Sequence, residues 1–148
     1  MRAIVQRVSS ASVLVEGKVV GSCGNGLLVL VAARKGDLPD STKKMADRVL
    51  GLRIFNDVSG KMNLNLADAS FEDKGILAIS NFTLYGETAK NRRPSFVDAA
   101  PYDEGENLFN MFVDALKAGT IPVQTGEFGA DMKVNMVNDG PVTVILET

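Results

Sequence analysis

Apolar positions alternate with polar or small ones near both ends of this chain and gather into unbroken runs at its middle. Residues 2–7 and 12–22 read as the opening strands, with Val13 and Val15 alternating against polar or small neighbours. Glu16-Gly17 sets off Lys18-Val19-Val20 as the return of a hairpin. Gly21, Gly24 and Gly26 break the chain before Leu27–Ala33, which is apolar on both faces and predicts a central strand. Beyond the loop Gly36–Asp40, Met45, Val49 and Leu52 fall at i, i+4 and i+7 while Lys43, Lys44, Asp47 and Arg48 take other positions. This spacing predicts an amphipathic helix, capped by Asp40 or Ser41. Residues 56–74 carry Asn, Asp, Ser and Gly and predict loop, with a short strand or turn where Met62, Leu64 and Leu66 alternate. Gly75–Ile79 is again an apolar run of strand length. A second amphipathic helix follows Tyr102-Asp103, with Leu108, Phe112, Ala115 and Leu116 as its apolar face and Gly119 as its end, Pro122 lying just beyond. Met132, Val134 and Met136 alternate with Lys133 and Asn135 as a half-buried strand. Asn138-Asp139-Gly140-Pro141 then makes a turn, and Val142–Leu146 is the last strand. Seven or eight strands and two helices that do not simply alternate predict a sheet-rich α/β fold.

Composition narrows the chemistry. A length of 148 residues suits one domain over 1–148 with one core, and 45% apolar with 23% charged residues is ordinary for a soluble protein. No apolar run reaches the length of a membrane span, and the opening Met1–Arg7 lacks a secretory pattern. A single cysteine, Cys23, rules out an internal disulfide, so the chain is expected in the cytoplasm. The sequence holds no His, which excludes a Ser-His-Asp or Cys-His apparatus within the chain and zinc sites built on His or several Cys. Hydrolysis here would have to use hydroxyls, carboxylates, backbone dipoles or groups that a substrate brings. The net charge of −2 does not advertise nucleic acid, so a local basic patch would have to do so.

The candidate chemistry lies where the Gly75–Ile79 run ends. Ser80-Asn81-Phe82-Thr83-Leu84-Tyr85-Gly86 offers hydroxyl, amide and backbone N–H groups together at the rim of a strand. Ser and Thr in such places also act as simple turn formers that satisfy their own backbone. The next segment, Lys90-Asn91-Arg92-Arg93-Pro94-Ser95-Phe96, places three cations beside that rim, suited to phosphates or to a solvated loop, and Pro94 argues against a helix through it. Lys43, Lys44 and Arg48 are weaker candidates of the same kind. Gly140-Pro141 admits two readings: a cis turn whose carbonyls would face an ammonium group, or a trans Pro opening an edge strand. On residues alone the trans reading is preferred.

Five stretches in order decide more. Met1–Val8, Ser80–Gly86, Asn91–Phe96, Phe128–Met132 and Asn138–Thr143 together resemble the D-aminoacyl-tRNA deacylase family, from the first residue to the last strand. The resemblance implies a curved, barrel-like sheet with about two helices packed on it, and a homodimer without cofactor or metal. It implies hydrolysis of the ester between a D-amino acid and the 3′-terminal adenosine of tRNA, and of glycine wrongly attached to alanine tRNA. It further implies that Gly140 and Pro141, joined in cis, reach into the partner's pocket, hold the substrate's amino group and leave no room for an L side chain. Ser80, Phe82 and Thr83 match the family's serine-glutamine-phenylalanine-threonine motif, and Met132 matches a methionine lining the pocket. Asn81 departs, carrying the usual amide on a stem shorter by one methylene. Lys90-Asn91-Arg92 also departs from the family's Lys-Gly before Arg-Pro-Ser-Phe. Lys90, Arg92 and Arg93 are the candidate tRNA contacts.

Three mechanisms fit these residues. In the first, the 2′-hydroxyl of the terminal adenosine assists water while backbone N–H groups near Phe82 and Thr83 hold the oxyanion. In the second, Thr83 is the nucleophile or orients water, with Lys90 or a carboxylate as base. In the third, the chain binds the tRNA end without cleaving it.

Overall fold

A computed structural model of the chain describes residues 1–89 and 92–148. Its spine is β1 (Arg2–Val15), longer than the two separate strands expected over residues 2–7 and 12–22. A two-residue turn, Glu16-Gly17, with φ of 49° and 79°, returns the chain into β2 (Lys18–Cys23), the hairpin expected from the sequence. β3 (Gly26–Ala32) pairs antiparallel with the first half of β1, and β2 with the second half. The helix α1 (Pro39–Leu50), the small pair β4 (Phe55–Asn56) and β5 (Met62–Leu64), and then β6 (Gly75–Ser80) follow. β6 lies parallel to β3. After α2 (Tyr102–Lys117), β7 (Val123–Thr125) lies parallel to β6, and β8 (Met132–Glu147) runs along the free edge of β1.

The sheet curls almost into a barrel. The Ser22 N–H donates to the Gln124 side-chain carbonyl at 2.9 Å, joining β2 to β7. At Gly21 a Cβ would lie 2.4 Å from the Thr125 carbonyl oxygen, so only glycine lets the two strands meet this closely. Inside the curl sit Val8, Ala11, Val13, Leu28, Leu77 and Ile79. On the other face Val5, Leu27, Val29, Ile76 and Ala78 pack against Met45 and Val49 of α1 and Phe112 and Leu116 of α2. Alternation along β3 and β6 therefore separates two cores, because both faces are covered. On β1 the phase changes. Val8 pairs with Asn138 and Ser10 with Val137, so Ser9 is an extra residue that turns Ala11 and Val13 to the side Val8 faces.

Several local expectations are corrected. Neither Asp40 nor Ser41 caps α1. Leu38 precedes the first turn without a side-chain cap, Pro39 opens it, and Thr42 donates its hydroxyl to the Pro39 carbonyl at 2.6 Å. In α2 the buried face includes Phe109 and Val113 while Ala115 is only half-buried, and the helix ends at Lys117 with Ala118 as its cap. Met132–Glu147 is one strand, with Asn138–Pro141 inside it. Val134 and Met136 are exposed where a half-buried strand was expected, because they border an open cavity instead of a packed layer. Among the described residues no helix is long and apolar enough to cross a membrane.

Candidate active site

Parallel strands β3 and β6 end on the same side of the sheet, and the rim lies there. The Asn81 N–H donates to the Val31 carbonyl at 2.8 Å, the last link with β3. The chain then tightens into a 3-10 turn, Phe82–Tyr85, closed by the Leu84 N–H to the Asn81 carbonyl (3.2 Å) and the Gly86 N–H to the Thr83 carbonyl (2.9 Å). As at any helical start, the first N–H groups lack a partner within the turn. Among the described residues no protein acceptor takes the N–H of Phe82 or Thr83. The Thr83 hydroxyl donates to the Asn81 side-chain oxygen at 2.5 Å.

The turn is fixed from behind. Arg2 donates to the Leu84 carbonyl at 2.8 Å, lies 4.8 Å from the centre of the Tyr85 ring, and pairs with Glu147 at 2.6 Å. Tyr85 is buried, and burial, with the Asp37 charge adding to it, pushes its phenol up to about 12. In front, the exposed Phe82 ring meets Phe96 edge-on at 5.1 Å. Paired hydrogen bonds between Glu87 and Ser95 (2.8 and 3.0 Å) close the base of the loop that carries Arg92 and Arg93.

The rim borders a cavity of about 730 Å³. Ser80, Asn81, Phe82 and Thr83 form one wall, and Met132 stands among the residues of another. The structure thus brings together five of the residues expected at the site. Arg92 and Arg93 are exposed on their loop and do not line the cavity, and Lys90 lies outside the described residues. Sequence reasoning missed Tyr102, Phe109 and Phe128, a wall of three aromatic rings with Phe128 in contact with both others. The apolar face expected of α2 does not include Phe109, and the expected helix starts only after Tyr102, the residue that opens it. Gln6 and Met1 also line the cavity, brought there by the pairing of β1 with β3 and β8.

Gly140 and Pro141 lie elsewhere. Gln6 pairs with Thr143 and Val8 with Asn138, so residues 139–142 leave the ladder opposite Arg7 alone. The peptide between Gly140 and Pro141 is cis, which corrects the preferred trans reading. Asn138 clamps the excursion, its amide donating to the carbonyls of Arg7 (2.9 Å) and Val142 (3.0 Å). Arg7 supports it from beneath, donating to the Ile54 carbonyl at 2.7 Å. The Asp139 carboxylate lies 2.8 Å from its Nε, an ion pair without hydrogen-bond alignment. Gly140 has φ of 117°, and a Cβ there would lie 2.7 Å from Val142 Cγ2.

The electrostatics of the site are sparse. Asp131 is the one carboxylate among the lining residues. Cys23 is far from reactive, since burial pushes its thiol up to about 11. Among the described residues no cluster of His, Cys, Asp or Glu could hold a metal ion. The wall offers hydroxyls, one amide and two unpaired N–H groups, an arrangement that can stabilise an oxyanion but has no strong base of its own.

Comparison with known proteins agrees with this architecture. A family described as D-Tyr-tRNA(Tyr) deacylase matches residues 4–147. A D-aminoacyl-tRNA deacylase of Geobacter metallireducens is 53% identical over 148 residues, covering 100% of this chain and 96% of its own. One from Thermosipho africanus is 50% identical, with 100% and 97% covered. Among solved structures, a c-Myc DNA unwinding element binding protein superposes with a TM-score of 0.92 at 37% identity, covering 100% of this chain and 99% of that one. A probable eukaryotic D-amino acid tRNA deacylase shares the fold with a TM-score of 0.78 at 21% identity, covering 98% and 97%. With the match running from β1 to β8 and half of all residues identical to such relatives, the chain belongs to the D-aminoacyl-tRNA deacylase family.

Proposed function

We propose that this protein hydrolyses the ester linking a D-amino acid to the 3′-terminal adenosine of tRNA, and that it also clears glycine from mischarged alanine tRNA. The observation that carries the reading is the rim: the N–H groups of Phe82 and Thr83, free of protein acceptors among the described residues, at the wall of a cavity of about 730 Å³. Such a volume suits a small organic ligand group. Water attacks the ester carbonyl carbon, and the developing oxyanion accepts hydrogen bonds from those N–H groups, each worth roughly 3–4 kcal/mol. The bond to the ribose 3′-oxygen then breaks. The neighbouring 2′-hydroxyl relays the proton from water to that oxygen, releasing the free amino acid and a tRNA with an intact 3′-hydroxyl. The absence of His and the lack of a base at Thr83 support this division of labour. A Thr83 nucleophile would need a base, and its hydroxyl instead donates to an amide oxygen, which takes up no proton at neutral pH.

Selection for the D hand rests on a second copy of the chain. Residues 139–142 stand out from β8 and contribute nothing to their own cavity. One face of the strand beside them is uncovered. Val134, Met136 and Ile145 pair with Val13, Ala11 and Ile4 of β1 and are 39%, 40% and 65% exposed. Exposed apolar residues along one edge strand are what a self-complementary interface would bury. In the dimer the Gly140-Pro141 turn of each copy enters the partner's cavity, its carbonyls facing the substrate's ammonium group and its backbone excluding an L side chain. Arg92, Arg93 and Lys90 hold the tRNA backbone. Matched D- and L-aminoacyl-tRNA, each incubated with the purified protein, test the reading. Release from the D ester alone is expected, and equal release from both would refute the stereochemical part.

A further inference from the structure

We infer that Tyr102 is the stacking platform for the base of the penultimate nucleotide of the bound RNA end, an inference that rests on the tRNA-ester reading above. Tyr102 opens α2 at the lip of the cavity with 60% of its surface exposed, whereas the chain's other tyrosine, Tyr85, is buried. Its ring is held before anything binds. Phe128 meets it edge-on at 5.1 Å and 80°, and Phe128 leans in turn on the buried Phe109 at 5.9 Å. Gly129, at φ of 74°, lies against the phenol so closely that a Cβ would come within 2.5 Å of the hydroxyl. An aromatic ring fixed in this way loses little conformational freedom when a flat partner settles on it.

The three rings are graded from inside to outside: Phe109 buried, Phe128 half-buried, Tyr102 exposed. The inner space beside Ser80 and Thr83 belongs to the terminal nucleoside and its ester. A base on Tyr102 therefore belongs to the nucleotide before it. Charge at this lip favours a base over a phosphate. Asp103 and Glu104 follow Tyr102 in the first turn of α2, and Asp131 lines the cavity. They would repel a phosphate but leave the neutral face of a base unaffected.

The test compares D-aminoacyl-tRNA with D-aminoacyl-adenosine, which lacks the penultimate nucleotide, using the wild type, Tyr102→Phe and Tyr102→Ala. Tyr102→Ala is expected to raise KM for the tRNA on the order of tenfold, with kcat little changed, and to raise KM for the adenosine ester by much less. Tyr102→Phe should behave as the wild type. A CCA-end oligonucleotide with a non-hydrolysable 3′-amide and 2-aminopurine at the penultimate position gives a second readout. Its fluorescence should be quenched by the wild type and Tyr102→Phe but not by Tyr102→Ala. Equal KM effects on both substrates, or quenching that survives Tyr102→Ala, would overturn the assignment. A wild type that cleaves neither ester would count against the hydrolase reading, while the fluorescence would still decide the stack.

Discussion

Thr83 places a hydroxyl at the cavity wall and donates a hydrogen bond to the side-chain oxygen of Asn81, an amide that cannot act as a base. Thr83→Ala is therefore expected to keep kcat within about fivefold of the wild type, since the backbone N–H proposed to hold the oxyanion survives the change. A loss of several orders of magnitude in single-turnover deacylation, with tRNA binding intact, would return the chemistry to the side chain. Asn81 contributes its own N–H to Val31 whatever its side chain. Asn81→Gln, which lengthens the amide side chain by one methylene, should change kcat/KM by no more than about threefold.

On the proposed function, selection depends on the excursion from β8, and its geometry leaves no room for a side chain. Gly140 sits at φ of 117° with Val142 and the Arg7 guanidinium 2.7 and 3.0 Å from where a Cβ would be. Gly140→Ala should lower the stability of the fold by about 1–3 kcal/mol in urea melts and abolish D-specific deacylation in rate assays. Unchanged values of both would mean that the excursion adapts freely. Most elements were legible in the chain because periodicity reports burial: the unbroken run of β3 and the Met45 and Val49 face of α1 are both present. Leu52, however, falls beyond the helix end at Leu50, and the residues expected to be half-buried at the start of β8 are largely exposed. What the sequence could not disclose depended on tertiary pairing. Ser9 shifts the phase of β1 only because β8 skips no residue opposite it. Asn138–Pro141 reads as a turn between strands, yet the ladder resumes at Thr143 because β1 continues past it. The rim was legible as polar groups after an apolar run. Its aromatic wall was not, since Tyr102, Phe109 and Phe128 come together only when α2 packs across the sheet.

At the scale of the molecule, the uncovered face of β8 and the titration of the interior each have a consequence. Ile145 is 65% exposed, faces away from the helices and does not line the cavity. Ile145→Lys should leave the protomer folded but shift sedimentation from dimer to monomer, and deacylation should fall with it. A monomeric wild type would contradict the shared site. Cys23 is held protonated, its thiol raised from 9.0 to about 11 chiefly by burial. The unfolded chain loses that proton first, so stability is fully present below about pH 9 and declines as pH rises towards about 11. Urea midpoints should drop between about pH 9 and about pH 11, and Cys23→Ala should reduce the drop. An equal drop in the variant would assign it to other groups, among them Tyr85.

The most direct test of the account removes one oxygen from the substrate. D-tyrosyl-tRNA ending in 2′-deoxyadenosine, esterified at its 3′-hydroxyl, is compared with the ordinary ester under single turnover by the wild type. The expected result is binding of both and cleavage of the ordinary ester alone, which places the proton relay on the RNA. Cleavage of the deoxy ester at a comparable rate would contradict it and require a proton-transfer group within the protein.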